Sequence, residues 1–229
     1  LLRFGWTATF LVYTFCFLVL GLFLIFVPYE KGEVHQHKQA KKEKMTAGQF
    51  RFTLLSALVA GVIVLSNTAI NLRVPSLVLY HQIGTAQTAS LILSGMQLIG
   101  IVAGVSFAPM VGIFKDRLLT IIGICFGLSL ILIGLSSNIW LLAFSALFAG
   151  FTYSITLTTV FHTVSEKIPP HLINQAVSIT VLGCSGGASV TTFILSLIGH
   201  LSQAPLFIFS VLGGVMMIIA MLSYNITKE

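Results

Sequence analysis

The sequence predicts an all-α protein, a polytopic bundle of about seven transmembrane helices, and three observations carry that expectation. Of 229 residues 56% are hydrophobic and only 8% are charged, whereas a soluble domain carries about 25% charged residues to cover its water-facing surface. Apolar runs follow one another down the chain, and a crossing helix needs about 20 such residues, since each adds about 1.5 Å against a hydrocarbon core about 30 Å thick. The charges gather in the stretches between those runs.

The first span is the uncharged run 7–27. Its length, and the lack of a small-residue cleavage pattern, separate it from a secretory signal peptide. Residues 28–51 form the one long polar loop, with Glu30, Lys31, Glu33, Lys38, Lys41, Lys42, Glu43 and Lys44. The second span covers 52–72 and the third 88–111, separated by an interfacial stretch with Arg73, Pro75, Tyr80, His81 and Gln82. The turn Lys115-Asp116-Arg117 leads into a fourth span over 119–135, and Ser136-Ser137-Asn138 makes a short hairpin. The fifth span, 139–164, is closed by Glu166-Lys167 and Pro169-Pro170, because proline donates no backbone hydrogen bond and restricts the residue before it. The sixth runs from 172 or 174 to 198 and the seventh from 206 to 223, around the turn 200–205.

Lysine and arginine fix the expected orientation. Ten of the twelve fall on the side shared by the first loop, the Lys115 turn, the Lys167 turn and the C-terminal tail, leaving Arg3 and Arg73 opposite. The positive-inside rule makes that side cytoplasmic, with the N-terminus outside and the C-terminus inside a multi-pass protein of the cell membrane. The net charge of +6 then reports topology and calls for no nucleic acid. The lipid bilayer is the implied partner, and the basic loop can also touch anionic lipid.

Several motifs, in order, resemble the major facilitator superfamily. Gly5-Trp6-Thr7-Ala8-Thr9-Phe10 is similar to that family's approach to its sixth helix, which a long basic loop follows, as 28–51 does here. Gly112-Ile113-Phe114-Lys115-Asp116-Arg117 resembles its Gly-x-x-x-Asp-Arg turn between the eighth and ninth helices. The family pattern continues there with glycine and two basic residues, where this sequence has Leu118-Leu119-Thr120. Pro169-Pro170 with Asn174-Gln175-Ala176 resembles the cytoplasmic approach to the eleventh helix. The resemblance spans almost the whole chain. It implies three parts: the last helix of an N-terminal half at 1–27, a cytoplasmic linker at 28–51 and a C-terminal six-helix transporter domain at 52–229. A chain that opens on Leu1 and enters a helix after six residues is then expected to be a fragment, whose partner is the N-terminal half before it.

Polar residues inside hydrocarbon are expensive unless they face a cavity or another helix. Ser66, Asn67, Thr68 and Asn71 cluster in the second span, Ser94 and Gln97 in the third, and Thr152, Tyr153, Ser154, Thr156, Thr158 and Thr159 in the fifth. Asn67 and Asn71, four apart, share a helix face. By resemblance the second and fifth spans are the cavity-lining seventh and tenth helices of the family, so Asn67, Asn71, Gln97, Tyr153 and Thr156 are the expected substrate-cavity residues. The competing reading is plain helix-to-helix hydrogen bonding, at about 0.6 kcal/mol each. The cytoplasmic turn motif comprises Gly112, Asp116 and Arg117. Small residues at Gly100 and Gly104, Gly123 and Gly127, and Gly183, Gly186 and Gly187 mark close helix packing, with Gly186-Gly187 a possible hinge.

All six acidic residues lie in loops or the tail, so no intramembrane carboxylate is available to carry a proton. His162, near the cytoplasmic end of the fifth span, has an imidazole suited to proton exchange or to anchoring at the interface. Arg73 can attract an anionic substrate or snorkel to the headgroups. Cys16, Cys125 and Cys184 stand singly, His35 and His37 lack further ligands, and neither metal nor cofactor is expected. Asn225-Ile226-Thr227 is a glycosylation sequon on the cytoplasmic side of this topology.

Two functions fit. The first is a secondary active transporter, symporter or antiporter, that moves a small solute, with a coupling proton or ion, by alternating access between two halves. The second is a non-transporting seven-helix receptor or membrane scaffold. An enzyme is not expected, since no intramembrane Asp, Glu or paired His appears, no span holds a lysine for a Schiff base, and no Gly-rich phosphate loop is present.

Overall fold

The computed structural model describes residues 8–26, 45–202 and 204–228. Seven α-helices account for nearly all of them: α1 (Ala8–Phe26), α2 (Ala47–Tyr80), α3 (Ala86–Phe114), α4 (Leu118–Leu135), α5 (Ile139–Lys167), α6 (Ile173–Leu201) and α7 (Pro205–Lys228). The chain divides into two compact units, 1–44 and 45–229. In the first, α1 is a 19-residue helix, about 28 Å long. The expected approach motif through Thr7, most of the basic loop and the His35/His37 pair lie outside the described residues.

Six helices of the second unit, α2 to α7, are long and apolar enough to cross a membrane. Their ends differ from the expected spans chiefly at α2, which runs 34 residues. It takes in Ala47 through Arg51, assigned above to the loop, because Thr46 and Gln49 form a capping box that satisfies the first-turn amides. At its other end it continues through Arg73 and Pro75 to Tyr80. Proline costs the helix one bond, since the carbonyl of Asn71 loses its donor, but neighbouring helices hold the segment helical. The helix stops in a Schellman turn: Ile83 donates to the Val78 carbonyl, Gln82 donates to that of Leu79, and Gln82 takes the left-handed conformation with φ 51°.

Three tight helix pairs build the bundle, each seated on small residues. In the α2–α6 pair, Gly183 meets the backbone of Ala57 and Gly187 that of Gly61; a methyl group on Gly61 would stand 2.8 Å from the Gly183 carbonyl oxygen. Both series ascend together, so the helices are parallel. In the α3–α5 pair Gly95 faces Leu147, Gly150 faces Met96, and Gly100 faces Ser154, again parallel. In the α4–α7 pair Gly123 faces Ala220, Gly127 faces Gly213, and Gly134 faces Leu206 and Phe209, an antiparallel arrangement. Relabelling α2, α3, α4 as α5, α6, α7 turns the first pair into the second and leaves the third unchanged. Contacts of α5 with α2 and α4 join the pairs around a core that includes Ile63, Ile70, Phe126, Ile133, Leu142 and Phe209.

Burial is uneven. More than half of the most apolar window of α2 and α4 is buried (56% in each), against 17% for α3 and 11% for α6. The membrane helices α3 and α6 thus leave one long face each uncovered by this unit.

Candidate functional site

Asn67 sits mid-way along α2 and is buried, and its Oδ1 has no hydrogen-bond partner among the described residues. Neighbouring Ser66 Oγ is in the same condition. One turn on, half-buried Asn71 donates from Nδ2 to the Asn67 backbone carbonyl at 2.9 Å. The next turn holds Pro75, which leaves the Asn71 carbonyl without its helical donor. Asn67 and Asn71, four apart, thus place two side-chain amides on one side of the helix, and Pro75 adds the released carbonyl of Asn71.

On α5 the hydroxyls are occupied differently. Thr156 is fully buried and donates back to the Thr152 carbonyl at 2.7 Å; Thr152 donates to Phe148 at 2.8 Å and Thr159 to Ile155 at 2.7 Å. Each has spent its one proton on its own helix. Tyr153 is half-buried, its ring 6.0 Å from that of Phe126 on α4, and packs against the central core. Gln97 stands on the exposed face of α3. The five expected cavity residues therefore divide: Asn67 and Asn71 form a local pair, Tyr153 and Thr156 lie within the packed part of α5, and Gln97 faces outward.

The turn motif falls at the α3–α4 junction. Gly112 is exposed in the last turns of α3, and Lys115 to Arg117 make a 3₁₀ turn. Lys115 has φ 45° and ψ −128°, a conformation that favours glycine. Beside it a cavity of about 300 Å³ is lined by Lys115, Thr159, His162, Thr163, Glu166 and Lys167, among others. His162 Nδ1 lies 3.4 Å from Glu166 Oε2, and its ring meets that of Phe107 edge-on at 5.7 Å. The helix α6 is continuous through Gly186 and Gly187. Gly187 is locked against Gly61, whereas Gly186 faces open space.

A polar line on α6 went unremarked in the sequence. Asn174, Ser178, Ser185, Ser189, Thr192, Ser196 and His200 are all exposed; at about 100° per residue they fall within an arc of about 80°, broken by Leu182. The opposite face, with Ala176, Thr180, Thr191, Leu195 and Ile198, is buried. The signal was present as 3.6-residue periodicity of serine and threonine, but weak polarity spread through an apolar helix hides it. On α3, Gln87, Ser90, Ser94 and Gln97 give the uncovered face of its first half the same character.

The sequence profile of the Major Facilitator Superfamily matches residues 1–191. The chain belongs to the Major Facilitator Superfamily. No curated protein matches it. Membership makes it a multi-pass protein of a transporter family, in agreement with the resemblance carried by the Trp6, Asp116 and Pro169 segments, all three of which lie within the matched region. In a Major Facilitator Superfamily half, three-helix repeats of inverted topology are expected, and the exchange relation among the helix pairs above has that form.

Proposed function

We propose that this Major Facilitator Superfamily protein is a secondary active transporter that moves a small solute by alternating access. The uncovered polar face of α6 carries this reading. Polar side chains facing hydrocarbon are costly, a cost that Ser178 and Ser189 lessen by donating to carbonyls of their own helix and that Asn174 and His200 lessen by standing at its ends; a second, N-terminal half packed over α3 and α6 would turn the line into one wall of an aqueous path. Asn67 supports the same reading, since a buried, unpartnered amide oxygen costs about 1–3 kcal/mol and a solute or water meeting it would recover that cost. Asn67 and Asn71 bear most directly on substrate, with Gln97 and half-buried Tyr153 as further wall residues, whereas fully buried Thr156 stands behind the wall. The turn at Gly112, Asp116 and Arg117 and the His162–Glu166 pair lie at the cytoplasmic mouth. The distribution of lysine and arginine supports a C-terminus in the cytoplasm of a cell-membrane protein. Gly186, facing open space beside the locked Gly187, is where α6 has room to bend.

Flux of radiolabelled sugars, organic anions and drugs into proteoliposomes of the full-length protein, with and without an imposed proton gradient, tests the proposal. Gradient-driven flux is expected, falling roughly fivefold or more in Asn71→Ala. Folded protein that moves none of these solutes would return the scaffold or receptor reading.

A further inference from the structure

Opposite the Lys115 turn, α2, α6 and the start of α7 enclose a cavity of about 580 Å³, within the range that holds a small organic ligand. Its wall includes Arg73, Ser76 and Tyr80 from α2, Ser196 and His200 from α6, and Pro205 from α7. The charge in this wall is of one sign. Arg73 is a permanent cation, and no Asp or Glu occurs anywhere in 44–115 or 167–228. Among the described residues no carboxylate pairs with it.

Arg73 is half-buried, and its Nη2 donates across to the Leu195 carbonyl of α6 at 3.4 Å. Gly199, one turn on, lets the guanidinium approach: a methyl group there would stand 3.7 Å from Nη2. One of five N–H groups is thereby engaged, which leaves four. The hydroxyls of Ser76, Tyr80 and Ser196 and the imidazole of His200 add further hydrogen-bonding groups to the same wall. The 24-residue helix α7 starts there, and a helix start carries a partial positive charge of about half a unit. An apolar solute would leave this cation unmatched; an oxyanion matches it.

We propose that this cavity binds one anionic group, a carboxylate or phosphate, and that such a group marks the ligand the protein takes up at this end of its path. That the site stands on a transport path rests on the transporter reading; the binding itself does not. The polar line of α6 runs into the cavity, since Ser196 and His200 belong to both, so an anion held here stands at one end of that line. A dissolved solute and the headgroup of an anionic lipid share the chemistry.

Binding of phenyl phosphate and of its neutral analogue phenol to the full-length protein would be measured in nanodiscs of purely zwitterionic lipid. The measurement is repeated with phosphatidylglycerol added. Saturable binding of phenyl phosphate but not phenol is expected, weakened at least about tenfold in Arg73→Gln, since a lost charge-assisted bond is worth about that factor. Arg73→Lys keeps the charge and should restore part of the affinity. Phosphatidylglycerol that competes with the probe identifies a headgroup as an occupant of the anion site; no competition assigns it to dissolved solutes. Either result supports the site. Equal binding by wild type and Arg73→Gln, or no binding by folded wild type in either lipid, overturns it. Because the readout is equilibrium binding, transport without Arg73-dependent binding sinks only this inference, and binding without transport sinks only the function proposed above.

Discussion

At Asn67 stability and function pull apart. A buried amide oxygen with no partner lowers stability by about 1–3 kcal/mol, and selection retains such a group when it has work to do. Asn67→Leu is therefore expected to raise the thermal midpoint of the purified protein while lowering solute flux; a variant that loses both would mark Asn67 as structural. Thr156 is the contrast. Its proton is already given to the Thr152 carbonyl, so Thr156→Val should cost about the net worth of one hydrogen bond, about 0.5–1.5 kcal/mol, and leave transport near the wild-type rate. The sequence placed both residues in the same candidate set because an Asn and a Thr in an apolar helix look alike in composition. What separates them is where donor and acceptor sit. A threonine oxygen is satisfied by donating to the carbonyl four residues earlier, whereas an amide nitrogen can bond back, as that of Asn71 does to Asn67, but the amide oxygen accepts only and needs a donor from elsewhere.

The helices themselves were largely legible, since each apolar run has the length of a bilayer and the charges fall between runs. The exception is α2, where a cation, a proline and a tyrosine within eight residues read as a connection. Tertiary packing overrode that local signal, with Val74, Leu77 and Val78 all buried. The glycines were legible as packing positions but not as pairs, because a small residue every fourth position states that a partner exists without stating which. The structure supplies the partner: Ala57 and Gly61 for Gly183 and Gly187. Gly187→Leu should cost at least about 1–3 kcal/mol, visible as lower yield and an earlier thermal midpoint, whereas Gly186→Ala, which points into open space, should be tolerated. At the α3–α4 junction the strained backbone of Lys115 makes the opposite forecast. Lys115→Gly removes a penalty of about 1–3 kcal/mol, and a higher thermal midpoint checks it.

For the whole molecule, the uneven burial of the six-helix unit decides what the α6 line is for. If lipid covers that face, Ser185→Leu with Ser189→Leu improves the fit to hydrocarbon and leaves flux unchanged. If a second half covers it, protein of normal abundance in the membrane is expected to lose transport, and vesicle flux normalised to protein amount separates the two. The sequence could not reach this conclusion, because which face of α6 is free depends on α2 having claimed the other. That claim also sets a timetable. Gly187 leaves the ribosome more than a hundred residues after Gly61, and at about 5–20 residues per second α2 waits on the order of 5–25 s for the neighbour that shields Ala57, Gly61 and the Arg73 guanidinium. Through that interval lipid or the insertion machinery has to shelter a helix whose polar and small-residue faces are still bare, so biogenesis is most exposed to error while α3, α4 and α5 are being made.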